Sequence, residues 1–172
     1  LWKFCSVLHS TVFCEATMNN SFVHGLAGVA LAYGFIKGTR AMTEHESRLT
    51  ELLFLKSAKT ANDRFAMHWA DSLWIAAGIY VLFSLRQDKQ HVTWTQVKAM
   101  GMYGIPAALG RMQLPPGPAF WAGLGWLAHP FWDAQFHNDE EAQHWVPHFY
   151  PMMCLTFDVI MSGYLFNMWR QG

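Results

Sequence analysis

The chain has 172 residues, room for one domain, and only 14% of them are charged where an aqueous fold carries about 25%. Apolar residues reach 52% and aromatics 16%, with nine Trp and ten Met, which is more apolar surface than one soluble core absorbs, so lipid is the expected sink. Net charge is zero and no basic run exceeds two residues, which excludes nucleic acid as a partner.

Cys5, Cys14 and Cys154 match the spacing of neither a zinc finger nor a disulfide framework. Because the chain opens on Leu1, a removed targeting sequence is one expectation, and an organellar membrane would then be its destination.

A spanning helix needs about 20 mostly apolar residues. Residues 21–36 are free of formal charge, and Ala30 and Gly34 stand four apart, a spacing that suits close helix contact in lipid. His24 is alone in this span, as a packing histidine or as a ligand to haem iron or chlorophyll magnesium. Residues 43–60 follow with capping-box spacing at Thr43 and Glu46, then Leu49, Leu52 and Leu53 among charges. They predict an amphipathic helix, lying on the membrane surface or packed on a partner.

Residues 65–85 form the next span, interrupted by His68 and Asp71 on one face. Residues 97–112, bracketed by Lys98 and Arg111 and holding Gly101, Gly104 and Pro106, predict a short, kinked or re-entrant helix. The clearest span is 117–137, without any acid or base before Asp133, and the last, 147–169, is broken only by Asp158. The expected architecture is all-α: a single domain over 1–172, a polytopic membrane helix bundle of four or five spans plus one amphipathic surface helix. With five spans, eight Lys and Arg fall on one side and four on the other, which orients the first side toward the cytoplasm or its organellar equivalent.

The chemistry concentrates in the last two spans. His129, Asp133 and His137 recur every four residues and so share one helix face. An acid at the centre of a span costs about 3 kcal/mol or more, so this face turns inward to a partner. Asp158, with Cys154 one turn before it, is the partner that depth selects. His129 lies about 12 Å from the helix end at His137, and Asp158 about 15 Å from His148, on the same side. His68 and Asp71 enter from the opposite side and reach about 9 Å in, extending a polar path without joining the cluster.

Imidazole nitrogen and carboxylate oxygen suit zinc or non-haem iron, which makes His129, Asp133, His137 and Asp158 candidate metal ligands. His24, His68, Asp71, Trp132 and Cys154 are candidate cofactor-lining residues. Two other roles stay open for His129 and Asp133: a hydrogen bond that locks helix packing, and proton transfer. Pro130 removes a backbone hydrogen bond and frees the Trp126 carbonyl, which predicts a kink beside His129. The tryptophans read as interface anchors, or as an aromatic pocket for an isoprenoid or a cation.

Gly125-Trp126-Leu127 with His129, Trp132-Asp133 and His137, then Cys154 four before Asp158 and Val159-Ile160, resembles a family of small bacterial polytopic membrane proteins. The family's motif runs G-W-L-x-H-x-x-W-D with following histidines, then C-x-x-x-D, and the match covers about the last 50 residues. This chain departs from it at Phe136, where the family has a second histidine, and at Phe157, where it has a second cysteine. The resemblance implies that His129, Asp133, His137, Cys154 and Asp158 belong together, and it carries no activity. Three functions follow as expectations. One is an integral membrane protein binding a divalent metal or a porphyrin such as haem or chlorophyll. Another is an accessory, pigment-binding subunit of a photosynthetic or respiratory complex, and the last is a membrane lipid or isoprenoid isomerase or cyclase. No G-x-S-x-G elbow, phosphate-binding glycine loop, H-E-x-x-H or multi-histidine box is present.

Overall fold

The computed structural model describes residues 2–44, 60–86, 90–137 and 145–172, and their side chains except those of 2–19, 44 and 135–137. Five helices account for almost all of it: α1 (Trp2–Glu44), α2 (Ala61–Ser84), α3 (Gln90–Arg111), α4 (Pro118–His137) and α5 (Phe149–Gln171). There is no strand among the described residues, so the fold is all-α.

Local chemistry sets the helix boundaries. Thr60 caps α2: its hydroxyl accepts from the Asp63 N–H at 3.0 Å, and the Asp63 carboxylate accepts from the Thr60 N–H at 3.1 Å. This capping box also puts an acid at the positive end of the helix dipole. Thr43, the expected cap of the amphipathic helix, lies inside α1, and residues 45–59, Glu46 among them, lie outside the described residues. Pro118 opens α4, where its missing N–H leaves no bond unmade. The turn before it reverses the chain through Gln113 (φ 53°) and Gly117 (φ 129°), a conformation glycine adopts without strain. The Trp121 indole N–H closes this turn onto the Leu114 and Pro115 carbonyls at 3.1 and 3.2 Å.

Consecutive helices run up and down. The C-terminal ends of α1 and α5, the start of α2 and the α3–α4 turn gather at one end, where Arg40 joins three helices. Its Nε donates to Tyr164 Oη at 2.7 Å, its Nη1 to Asn62 Oδ1 at 2.6 Å, and its guanidinium lies 4.7 Å from the Phe65 ring centre. Beyond this clasp α1 packs mainly on α5 and touches α2 sparsely. Small residues set the close approaches. A Cβ on Gly28 would collide with the Met153 carbonyl and Thr156 of α5, and one on Gly125 with Leu73 of α2, next to Pro106 of α3. The main core is Phe65, Trp69, Leu73, Trp126, Met161 and Leu165, and a second cluster surrounds Tyr80, Trp145 and Tyr150.

The expected 97–112 segment falls in a continuous 22-residue helix and so is not short. Polar residues from Gln90 to Gln96 hid its first turns, and Pro106 is carried inside it beside Gly125. The 21–36 segment likewise lies within the 43-residue α1. Among the described residues two helices, α2 and α5, are long and apolar enough to cross a membrane, so four or five spans are not confirmed. Several large apolar side chains face outward, although the core itself is mostly apolar. Phe22, Ile75, Leu82, Trp94, Met102 and Phe131 are each more than 60% exposed, whereas His129, Asp133 and Asp158 are at most 2% exposed.

Candidate functional site

Three helices bring the site together. On α4, Gly125 admits α2 and α3, and the buried Trp126 indole N–H donates to the Trp69 carbonyl of α2 at 2.9 Å. His129 and Asp133 follow on the same α4 face. On α5, the Ser162 hydroxyl donates to the Gly123 carbonyl at 2.9 Å, one turn from Asp158, and this docks the α5 carboxylate opposite His129.

His129 Nδ1 lies 2.7 Å from Asp158 Oδ2 and 3.3 Å from Asp133 Oδ2. The donor atoms of the three side chains all fall within 4.8 Å of one another. The Tyr80 hydroxyl of α2 donates to the other Asp133 oxygen at 2.6 Å. Aromatic rings wall in the imidazole: the Tyr103, Tyr80 and Trp126 ring centres stand 5.0, 6.2 and 6.3 Å from it.

Two features of this geometry are costly without a ligand. The first is charge: among the described residues neither carboxylate pairs with a Lys or Arg, so His129 is the only counter-charge to two buried acids. Burying ions with incomplete compensation costs several kcal/mol each. The second is unmade hydrogen bonds. His129 Nε2 and the Trp69 indole N–H are buried with no hydrogen-bond partner among the described residues, and Asp133 Oδ2 has only its 3.3 Å contact with His129. Each such group costs about 1–3 kcal/mol.

The separations fit a metal ion. Two ligands each about 2.0–2.1 Å from one ion lie about 2.9 Å apart at a right angle and about 3.4 Å apart at a tetrahedral angle. The 3.3 Å edge between His129 and Asp133 falls within those spans, the 2.7 Å edge to Asp158 is a hydrogen bond that would lengthen slightly, and all three donor atoms lie close enough for one ion to reach them. A divalent cation also neutralises two carboxylates and a neutral imidazole completely.

The other expected residues are dispersed. The side chain of His137 lies outside the described residues, although its backbone ends α4. Trp132 points to α3, donating to Gln96 Oε1 at 3.2 Å. His24 packs on Phe149, ring centres 5.9 Å apart, away from the cluster. Asp71 is ion-paired to Arg111 at 2.7 Å at the far end of the bundle.

Cys154 and His68 line a cavity of about 400 Å³ between α1, α2, α4 and α5, with Trp69, Phe157, His129 and Asp158 also in its wall. This cavity shares Phe35, Thr39 and His68 with a groove of about 740 Å³ along the outer face of α1. Tyr80, Gln96, Tyr103 and Ser162 are site residues that sequence reasoning missed. Ser162 alone carried a signal, four residues after Asp158; the others depend on how separate helices register.

Comparison with protein-family models, curated proteins and solved structures finds no match to this chain.

Proposed function

We propose that the chain is an integral membrane protein that holds one divalent metal ion, zinc or ferrous iron, on His129, Asp133 and Asp158 inside a lipid-embedded bundle. The observation that carries this is the buried triad itself: an imidazole and two carboxylates whose donor atoms lie within 4.8 Å of one another, with no Lys or Arg among the described residues paired to either acid. His129 would bind through Nδ1 and each aspartate through Oδ2. Three protein ligands leave a coordination position for another molecule, the pattern of metal sites that do chemistry.

The donor set favours a bare ion over a porphyrin. A porphyrin fills the equator of its metal with its own nitrogens, and that leaves two adjacent carboxylates without a role. Membrane embedding is supported by α5, the more apolar of the two long helices, of whose most apolar stretch only 28% is buried within the bundle. The core helix of a soluble protein hides such a stretch, whereas lipid solvates it. The proposal includes kinship with the small bacterial polytopic membrane family that 125–137 and 154–160 resemble. Motif residues then act as ligands (His129, Asp133, Asp158) or pins (Gly125, Trp126, Trp132).

The test is metal analysis of the detergent-purified chain. About one divalent ion per chain is expected, falling at least ten-fold in Asp133→Asn and in Asp158→Asn. A wild-type preparation that is metal-free yet keeps its full thermal stability after chelation would overturn the assignment.

A further inference from the structure

A groove remote from the triad runs between α2 and α3 and encloses about 670 Å³. Its wall is apolar along most of its length, through Trp74, Ile75, Gly104 and Ala108, and polar at one end, where His68, Asp71 and Arg111 meet. The polar end is open. Asp71 and Arg111 pair at 2.7 Å, yet their side chains keep 37% and 35% of their surface exposed. The pair uses only one carboxylate oxygen: Arg111 Nη1 donates to Asp71 Oδ2, and Oδ1 accepts no hydrogen bond among the described residues.

We propose that this groove seats an acyl chain of an ethanolamine phospholipid, whose head caps the Asp71–Arg111 pair with phosphate toward Arg111 and ammonium toward Asp71 Oδ1. The inference rests on the membrane reading and not on the metal. An ion pair that faces hydrocarbon with a third of its surface open is costly, and a polar head that covers it removes the cost. The charges select the head. Because Arg111 already faces a carboxylate, the pair is neutral as a whole, and an anionic head would meet Asp71 as a like charge. A zwitterion meets each half of the pair with the opposite sign. Ethanolamine also differs from choline in carrying N–H donors, which the open Oδ1 accepts and a quaternary ammonium cannot supply.

The dimensions suit one leaflet. Arg111 ends α3, and Gly101, at the apolar end of the groove, lies about 15 Å back along the same helix. That is half of a hydrocarbon core about 30 Å thick, so a head at Arg111 and a chain running to Gly101 span one leaflet. Gly101 leaves its stretch of the groove open, since a Cβ there would meet nothing within 4 Å.

The experiment incubates the purified full chain, in dodecyl maltoside micelles, with equal amounts of dioleoyl phosphatidylethanolamine, phosphatidylcholine and phosphatidylglycerol, and reads retained lipid by native mass spectrometry. About one phosphatidylethanolamine per chain is expected, favoured about five-fold over either of the others, the worth of one partly exposed hydrogen bond between charged groups. Water-soluble glycerophosphoethanolamine, which has the head without the chains, should not displace it. Asp71→Asn removes the negative half of the site, so phosphatidylethanolamine should fall to the level of phosphatidylcholine and phosphatidylglycerol should become the favoured lipid. A variant that disturbed packing alone would not reverse the preference. Gly101→Leu puts a side chain into the groove and should lower retention of all three lipids about five-fold with their order unchanged. Equal retention of the three lipids by the wild-type chain, or displacement by the soluble head, overturns the proposal, and that comparison decides even where a variant does not fold. Alkaline carbonate extraction of the source membranes reads the embedding separately. A chain held in the membrane without head preference sinks the lipid site alone, and a chain released into solution with selective retention sinks the membrane reading alone.

Discussion

Tyr80 does for Asp133 what a sequence motif cannot announce. Its hydroxyl holds one carboxylate oxygen at 2.6 Å and leaves the other facing His129. Tyr80→Phe removes a hydrogen bond to a charged group, so it should cost about 1.5–3 kcal/mol of stability. As an outer partner of a metal ligand, the same hydroxyl should be worth about ten- to a hundred-fold in metal affinity. Thermal unfolding and chelator competition read the two effects; unchanged metal retention in Tyr80→Phe would mean that Asp133 is not a ligand. Trp132→Phe is the contrasting case, since that indole bonds Gln96 and not the triad. A loss of about 1 kcal/mol with full metal content is expected. The four-residue spacing of His129 and Asp133 is visible in the sequence because it belongs to one helix, and Asp158 follows from counting depth along two. Tyr80 and Gln96 are invisible there, because which residue of α2 or α3 faces α4 depends on helix rotation, which no single segment encodes.

Glycines do comparable work for whole helices. Gly125 lies where a side chain would strike Leu73, and Gly28 where one would strike the α5 backbone at Met153. Gly125→Val and Gly28→Val should each cost about 1–3 kcal/mol by overpacking, measured as loss of thermal stability in detergent. Gly34 meets nothing within 4 Å, so Gly34→Ala should be neutral or stabilising by about 0.5 kcal/mol. If all three substitutions behave alike, close helix approach is not what fixes α1 and α4. The glycine of the G-W-L motif is therefore a spacer between helices, a role its place beside Trp126 did not betray. Helix starts were less legible than helix existence. The box at Thr60 and Asp63 starts α2, whereas Thr43, which the sequence offered as a cap, lies inside α1.

At the scale of the molecule, the long apolar runs indicated the all-α class, and composition indicated more apolar side chains than one core would hold. Which segments meet lipid was less clear, since α1 and α3 run well past the stretches that hydropathy picks out. On the proposed membrane reading, charge distribution would set the orientation. Among the described residues Lys37, Arg40, Arg64, Arg111 and Arg170 stand toward the end that holds the α3–α4 turn, and Arg86 and Lys98 lie toward the other. The positive-inside rule would then turn the first end to the cytoplasm or its organellar equivalent. A cysteine placed at Gly117, in a background without the native cysteines, should react with an impermeant maleimide only after the membrane is opened. Labelling of intact cells or organelles would reverse the orientation, and release of the chain by alkaline carbonate would remove it from the membrane altogether.

Arg40 stands at that same end, tying α1 to Asn62 of α2 and to Tyr164 of α5. One side chain thus acts as a rivet where three rods converge. Losing that rivet should loosen α1 from α2 before it loosens α1 from α5, against which the helix leans more heavily.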